Sequence, residues 1–350
     1  MTLRKRRMFL LLSSISFVIL AIMAILYSQG YVLDSGFHLS KKGGLYISAE
    51  DTGTEIFVNN KKKKMTGFLN NDIFIPSLDT GEYSVIIAKK GFWPWQKTLK
   101  VTEGYVTEAR AFMVPQNTNA SLLTKGMFFD IWSSPLQNIF ILKEKKNNGY
   151  FLAFYIPDQQ KFLTENATST KKLLSVKENI SNIIWGDGYV IFNSDKGLIK
   201  AEFNLSSFSV SAKQYNESTE KVSDFEKMSP KGDEKIWWDP SANDIFVDWP
   251  KNSQTIPYYL CDTKDCQLPI KILHSITRIR AIDFFPNRKD VIITAVSNGV
   301  YAFEIDGRGG RLIQPIYKGK EPRFALLKGD ENVYVLDEGA LIKVSLEANE

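Results

Sequence analysis

The sequence predicts an all-β ectodomain, a small β-sandwich followed by a five-unit β-propeller, behind one transmembrane helix. Three observations carry that expectation. An uncharged apolar run lies near the N-terminus, short alternating strands follow it, and a five-fold repeat fills the rest of the chain. The expected order is a basic cytoplasmic tail (1–7), a signal anchor (8–27), a stalk (28–42), the sandwich (43–115) and the propeller (116–350).

The tail explains the charge balance. The 350 residues hold 44 Lys+Arg and 39 Asp+Glu, a formal net charge of +5. Arg4, Lys5, Arg6 and Arg7 hold four of those cations, which leaves 40 basic against 39 acidic side chains in the body. A near-neutral body lacks the basic face that phosphate binding needs, so no nucleic-acid partner is expected. Hydrophobic content of 44% and charged content of 24% describe a chain that packs a core rather than a disordered one. Aromatics at 13% favour strands. Two His and two Cys in the whole chain exclude most metal and thiol chemistry, and no metal or cofactor is expected.

The anchor is Met8–Tyr27, 20 residues without a charge. As a helix it reaches across a hydrocarbon core of ~30 Å. Four cations precede it, and the first charge after it is Asp34, followed by Lys41 and Lys42. The positive-inside bias puts the N-terminus in the cytoplasm and residues 28–350 outside. A cleaved signal peptide is the alternative. Its apolar region is usually about 7–15 residues, shorter than this run, and a small-x-small cleavage site is not evident. Either reading exports the body. Outside the cytoplasm a disulfide between Cys261 and Cys266 is expected, with two free thiols as the alternative. Zinc would need four ligands, and only His38 and His274 could assist.

After a short polar stalk, six strands are expected between Gly44 and Met113. They are Leu45–Ser48, Thr54–Val58, Asp72–Pro76, Gly81–Ile87, Gln96–Val101 and Glu108–Met113, punctuated by Gly, Asn and Asp. No helical period appears, and six short strands in about 70 residues make a small sandwich. Gly43–Ser48 (GGLYIS), Gly53–Asn59 (GTEIFVN), Pro76–Val85 (PSLDTGEYSV) and Lys89–Trp95 (KKGFWPW) resemble the PEGA domain family. The string that names the family is blurred to Ala49–Thr54 (AEDTGT). The resemblance implies a surface-exposed β module without known catalysis, with Tyr83 in its core.

Beyond Pro115 a unit of strand, polar turn, strand, tight turn and strand recurs. The units begin at Phe129, Asn182, Lys235, Ala281 and Phe324. Trp132, Trp185, Trp238, Phe284 and Leu326 align with spacings of 53, 53, 46 and 42. In four units the next strand begins seven residues later, at Ile139, Ile245, Val291 and Val333. In units three and four, CDTKDCQLPIKI aligns with IDGRGGRLIQPI and adds an outer strand. Four-stranded units at this period are propeller blades. The pattern resembles WD-repeat-like and periplasmic Tol-type propellers. Ser229–Ile236 (SPKGDEKI) looks like a turn of the latter and suggests a second register, with Ser223–Met228 as the inner strand of unit three. The fifth unit lacks an outer strand. Ala120–Thr124 can supply it against residues 340–346 and close the ring, the alternative being an open arc.

A search for chemistry finds little. No Gly-rich phosphate loop, nucleophile elbow or zinc-helix motif is present, and no signal selects a carboxylate pair. Gly307–Gly310 reads as a turn, His38 as a stalk residue and His274 as a surface loop residue. Lys61, Lys62, Lys63 and Lys64 read as a hairpin tip that can touch anionic polymer or lipid headgroups. Trp93 and Trp95 read as packing residues. The expected function is therefore non-enzymatic: a membrane-anchored, extracytoplasmic binding or scaffold protein of a bacterial-type cell envelope, with an envelope protein or polysaccharide as partner. A propeller hydrolase or lyase acting on envelope glycan is the alternative. It requires two or three carboxylates at one channel mouth. A purely structural spacer is a third reading.

Overall fold

A computed structural model describes residues 3–33, 38–49, 52–67, 71–147, 149–164, 171–176, 180, 183–194, 197–216, 226–250, 256–261 and 266–348. Asp34 and Gly36 of the stalk, Glu50 and Asp51 of the blurred family string, Asn182, Ser223–Phe225 and Asp262–Asp265 lie outside the described residues. The described chain is nearly all β, with one N-terminal helix. It divides into two units. One is Met1–Lys90, Pro94–Phe112 and Arg308–Gly310; the other is Gly91–Trp93, Met113–Gly307 and Arg311–Glu350.

The first unit begins with α1 (Leu3–Ser28), which extends the apolar run through the four cations. Its side chains are exposed along the span, and it is long and apolar enough to cross a membrane. Gln29 N and Gly30 N donate back to Ile25 O at 3.1 Å and Tyr27 O at 3.0 Å, and Gly30 takes the positive φ of 85° that suits a helix end. The stalk contains a strand pair, β1 (Tyr31–Leu33) with β2 (Leu39–Lys41).

Seven strands follow: β3 (Gly43–Ala49), β4 (Glu55–Val58), β5 (Lys61–Met65), β6 (Asp72–Leu78), β7 (Gly81–Ala88), β8 (Trp95–Val101) and β9 (Val106–Ala111). They form a three-stranded sheet, β6-β3-β9, with β3 and β9 parallel, and a four-stranded sheet, β5-β4-β7-β8. The strand period of two sends Leu45, Ile47 and Ala49 of β3 inward, with Val85 and Ile87 of β7 and Trp95, Leu99 and Val101 of β8. Each fully buried Leu, Ile or Val contributes about 1.5–3 kcal/mol. Gly43 is needed for clearance, because a Cβ there would stand 2.5 Å from the Thr102 carbonyl oxygen. Two expectations need correction. Tyr83 is half-buried rather than a core residue, and its hydroxyl donates to Asp79 O at 3.0 Å. Lys61–Lys64 are not a hairpin tip. The tip is Asn59–Asn60, with φ of 49° and 61°, and the lysines form β5, an edge strand. Four consecutive charges carry no alternation, so the strand was invisible to a pattern search.

The second unit has twenty-one strands in five antiparallel sheets among the described residues. The first sheet is β11 (Phe128–Ser133), β12 (Phe140–Lys146) and β13 (Gly149–Ile156), edged by β14 (Lys161–Phe162) and β15 (Leu173–Val176). The second is β16 (Ile183–Gly186), β17 (Tyr189–Ser194), β18 (Gly197–Asn204) and β19 (Ser209–Gln214). The third is β20 (Glu226–Met228), β21 (Lys235–Asp239), β22 (Asp244–Asp248) and β23 (Ile270–His274). The fourth is β24 (Ala281–Phe284), β25 (Val291–Val296), β26 (Gly299–Glu304) and β27 (Ile313–Lys318). The fifth is β28 (Arg323–Ala325), β29 (Val333–Asp337) and β30 (Ala340–Ala348), with β10 (Thr118–Lys125) as its outer strand.

The pairing expected between residues 120–124 and 340–346 is present, with Ala120 opposite Val344, Ser121 opposite Lys343 and Leu122 opposite Ile342. Gly339, φ 78°, makes the adjacent turn. A Cβ there would overlap the Gly126 carbonyl oxygen, and Gly126 N donates to Gly339 O at 2.9 Å.

Unit three follows the second register. Its first strand is β20, so Trp238 lies on a second strand, while Trp132, Trp185 and Phe284 lie on first strands. The sequence reads Pro257–Asp262 (PYYLCD) as a strand, but Leu260 N and Cys261 N donate back to Pro257 O at 3.0 and 3.1 Å. These bonds make a turn, which buries Tyr259 and Leu260 without pairing them. Apolar clusters join neighbouring sheets. One packs the first against the second, one the third against the fourth, and one the fifth against the first. In the last, the Phe140 and Tyr334 rings lie 4.8 Å apart.

Candidate functional site: charge pairs on converging first strands

The first strands of neighbouring sheets touch: β11 meets β28, β28 meets β24, and β24 meets β20. Their side chains therefore share one region, and that region carries opposite charges in pairs. Arg323 of β28 holds Asp130 of β11, Nη1 to Oδ1 at 3.3 Å, and donates to Arg280 O at 3.3 Å. Arg280 in turn pairs with Glu321 at 2.8 Å. Lys227 of β20 stands 4.0 Å from Asp283 of β24. Both aspartates are also fixed locally. Ile131 N donates to Asp130 at 3.1 Å, and Phe284 N donates to Asp283 at 2.8 Å.

Burial pushes both carboxyls above the usual range. At Asp130 the cations of Arg323 and Lys143 oppose that shift. At Asp283 Lys227 opposes it. Burial thus outweighs pairing at both sites. The arrangement presents donors and acceptors side by side and suits polar recognition.

A second cluster joins the third and fourth sheets. Lys289 Nζ lies 3.3 Å from Glu234, which is fully buried, and 3.8 Å from Asp233. The Tyr259 hydroxyl donates to Glu234, and Lys289 lies over the Trp249 and Tyr259 rings at 5.6 and 5.8 Å. Arg288 grips Asp290 with two bonds of 2.7 Å. Burial first, and then the Glu234 hydrogen bond, push the Tyr259 hydroxyl far above its usual value. A groove of 610 Å³ lies between turns of the first and fifth sheets, lined by Gln137, Asn138, Asp158, Asp330 and Glu331 among others.

The residues singled out in the sequence fall elsewhere. Arg4, Lys5, Arg6 and Arg7 form the exposed first turns of α1. Cys261 and Cys266 stand with Cα atoms 5.9 Å apart, inside the range of a bridge. Lys62 pairs with Glu55, Lys64 donates to Asp72 O at 2.5 Å, and Lys61 and Lys63 are exposed. His38 is exposed, and His274 ends β23 rather than lying in a loop, its Nδ1 2.7 Å from Asp244 Oδ1. Trp95 is buried, whereas Trp93 is 37% exposed. Among the described residues no group of three or more His, Cys, Asp or Glu stands together as metal ligands. Sequence reasoning missed Asp130, Asp283, Lys227 and Arg323. The available signal was one acid inside an otherwise apolar strand, Phe-Phe-Asp130-Ile-Trp and Ala-Ile-Asp283-Phe.

No family model and no curated protein matches the chain. Solved structures show distant likenesses. One is Hsv2 of Kluyveromyces lactis, 6% identical over 73% of this chain and 66% of that one, TM-score 0.24. Another is the β-propeller domain of Cps50 (Swd1) of Myceliophteria thermophila, 11% identical over 75% and 79%, TM-score 0.27. A third is a protein of unknown function from Bacteroides thetaiotaomicron, 10% identical over 85% and 83%, TM-score 0.28. The chain spans about two thirds of the Hsv2 chain. Such TM-scores carry no argument, and the propeller reading rests on strand pairing.

Proposed function

We propose that the chain is a membrane-anchored, extracytoplasmic binding or scaffold protein of a cell envelope, and not an enzyme. In this reading α1 is the anchor, the N-terminus is cytoplasmic, and Cys261–Cys266 is a disulfide suited to an oxidising compartment. The first unit is a PEGA-like sandwich, on the sequence motifs alone. The second is a five-bladed propeller whose fifth blade is completed by β10. One observation carries the reading: the first strands of the first, third, fourth and fifth sheets meet in series, and the last sheet takes its outer strand from the start of the unit. Propellers of this kind offer a rim of turns and a central channel to partners.

The charge-mixed first strands support binding over hydrolysis. Glycan hydrolysis uses two carboxyl groups flanking one bond, whereas Asp130 and Asp283 each face a cation. The partner is an envelope protein, with polysaccharide as the second possibility and nucleic acid excluded by the neutral body. Photo-crosslinking from Glu321 in whole cells tests this. Discrete adducts that vanish with Asp130→Lys and Asp283→Lys are expected. Adducts that ignore both reversals would remove the site. Glycan cleavage lost in Asp130→Asn or Asp283→Asn would favour the enzymatic reading.

A further inference from the structure

We propose that the end of the first unit where α1 enters is itself a lipid-binding surface, seated in the headgroup layer by Leu33, Leu39, Tyr105 and Val106 with Lys41 beside them. This rests on α1 crossing a bilayer, as proposed above. At a rise of about 1.5 Å, its 26 residues extend about 39 Å, longer than a hydrocarbon core of about 30 Å. The helix end therefore reaches the headgroup layer, and Tyr31 follows Ser28 after only two residues.

Backbone hydrogen bonds hold the rest of this end at the same level. Lys42 N donates to Gly30 O at 2.8 Å, Gly104 N to Lys42 O at 3.0 Å, and Gly44 N to Tyr105 O at 3.0 Å. The Tyr105 turn is thus two strand spacings from the helix end, about 10 Å. Lys42 also pairs with Asp79 in the β6–β7 turn, which ties a second loop to the same end.

Large apolar side chains clustered at one end, beside the exposed Glu103, mark an interaction surface. This end exposes Tyr105 at 71%, Leu33 at 53%, Val106 at 50% and Leu39 at 49%. Phe74, 52% exposed, continues the strip, because its ring lies over Gly44. Lys41 lies with its Nζ 5.9 Å from the Tyr31 ring centroid. Tyrosine and aliphatic side chains beside a lysine suit the boundary between acyl chains and headgroups, where the ring is half wetted and the ammonium reaches phosphate. The surface continues directly from the spanning helix, so the same bilayer is its occupant. The consequence is an orientation lock: the first unit is held against the membrane at two places instead of swinging on a free stalk.

The test uses the full chain reconstituted in phosphatidylcholine–phosphatidylglycerol vesicles. Tyr105→Cys and, separately, Lys90→Cys carry an environment-sensitive fluorophore. Lys90 is exposed beyond the far end of β7. The expected result is blue-shifted Tyr105→Cys emission quenched by lipids with a shallow nitroxide, and solvated, unquenched emission at Lys90→Cys. Equal solvation at the two sites overturns the inference. Leu39→Cys gives the same readout if Tyr105→Cys does not fold. An alkaline wash separates the two levels. Protein released by the wash overturns the anchor as well; protein retained with a solvated label at residue 105 overturns the lipid-facing surface alone.

Discussion

Two strand edges in this molecule are handled in opposite ways. In the first unit β5 is, among the described residues, the edge strand of its sheet and carries Lys61, Lys62, Lys63 and Lys64. In the second unit the edge of β30 is filled by β10, a strand from the other end of the unit. An open edge presents unpaired N–H and C=O groups that template association, and lysine repels a second edge. Filling the β30 edge makes β10 the outer strand of that sheet, and β10 carries one cation, Lys125, in eight residues. Charge protects an edge cheaply but holds nothing together. Pairing distant segments holds the unit together but requires ordering a long chain first.

The largest expected effect breaks the closed side of that comparison. Phe140→Ala empties the contact with Tyr334 between the first and fifth sheets. It should cost about 3–5 kcal/mol in urea unfolding of the second unit. A loss below about 1 kcal/mol would mean that the sheets do not pack as described. Next, Cys261→Ser with Cys266→Ser opens a short loop beside the buried Tyr259 turn and should cost about 2 kcal/mol. Equal stability with and without reductant in the wild type would sink the bridge.

A subtler effect concerns pH. Burial raises the Asp283 carboxyl despite Lys227, so in the acid window above the ordinary carboxylate range the folded state holds the extra proton. Stability contributed by that proton is lost as pH rises through the folded value. Asp283→Asn should therefore be more stable than wild type at neutral pH, with that advantage shrinking as pH falls through the folded value; a less stable variant would show that pairing outweighs burial. The smallest effect is on the open edge. Lys61→Ala with Lys63→Ala should shift stability by less than about 0.5 kcal/mol yet promote concentration-dependent association, read by sedimentation velocity. A variant that stays monomeric would deny the lysines their guarding role.

The sequence revealed what short-range pattern encodes and hid what depends on contacts between sheets. The apolar helix was legible as an uncharged run, six strands of the first unit by alternation, and the strands after Trp132, Trp185 and Phe284 as short apolar runs between turns. Trp238 misled the register, because first and second strands of a sheet carry the same apolar signature. Pro257–Asp262 misled because its place in the repeat called for a third strand, whereas Leu260 N and Cys261 N bond back to Pro257 O in a turn. The Asp130–Arg323 and Lys227–Asp283 pairs join different sheets, so no local spacing announces them. The outer strand at residues 120–124 was found only by asking what the fifth unit lacked.

The central claim is that β10 closes the fifth sheet, and one crosslink tests it most directly. Ser121→Cys with Lys343→Cys places thiols on directly opposed residues. A control, Ser121→Cys with Ser345→Cys, moves one thiol two positions out of register. Mild oxidation followed by mass spectrometry of the linked peptides should give efficient bridging in the 121/343 variant and little in the control. No 121/343 bridge in the folded full chain, or equal bridging in both variants, would contradict the closed arrangement.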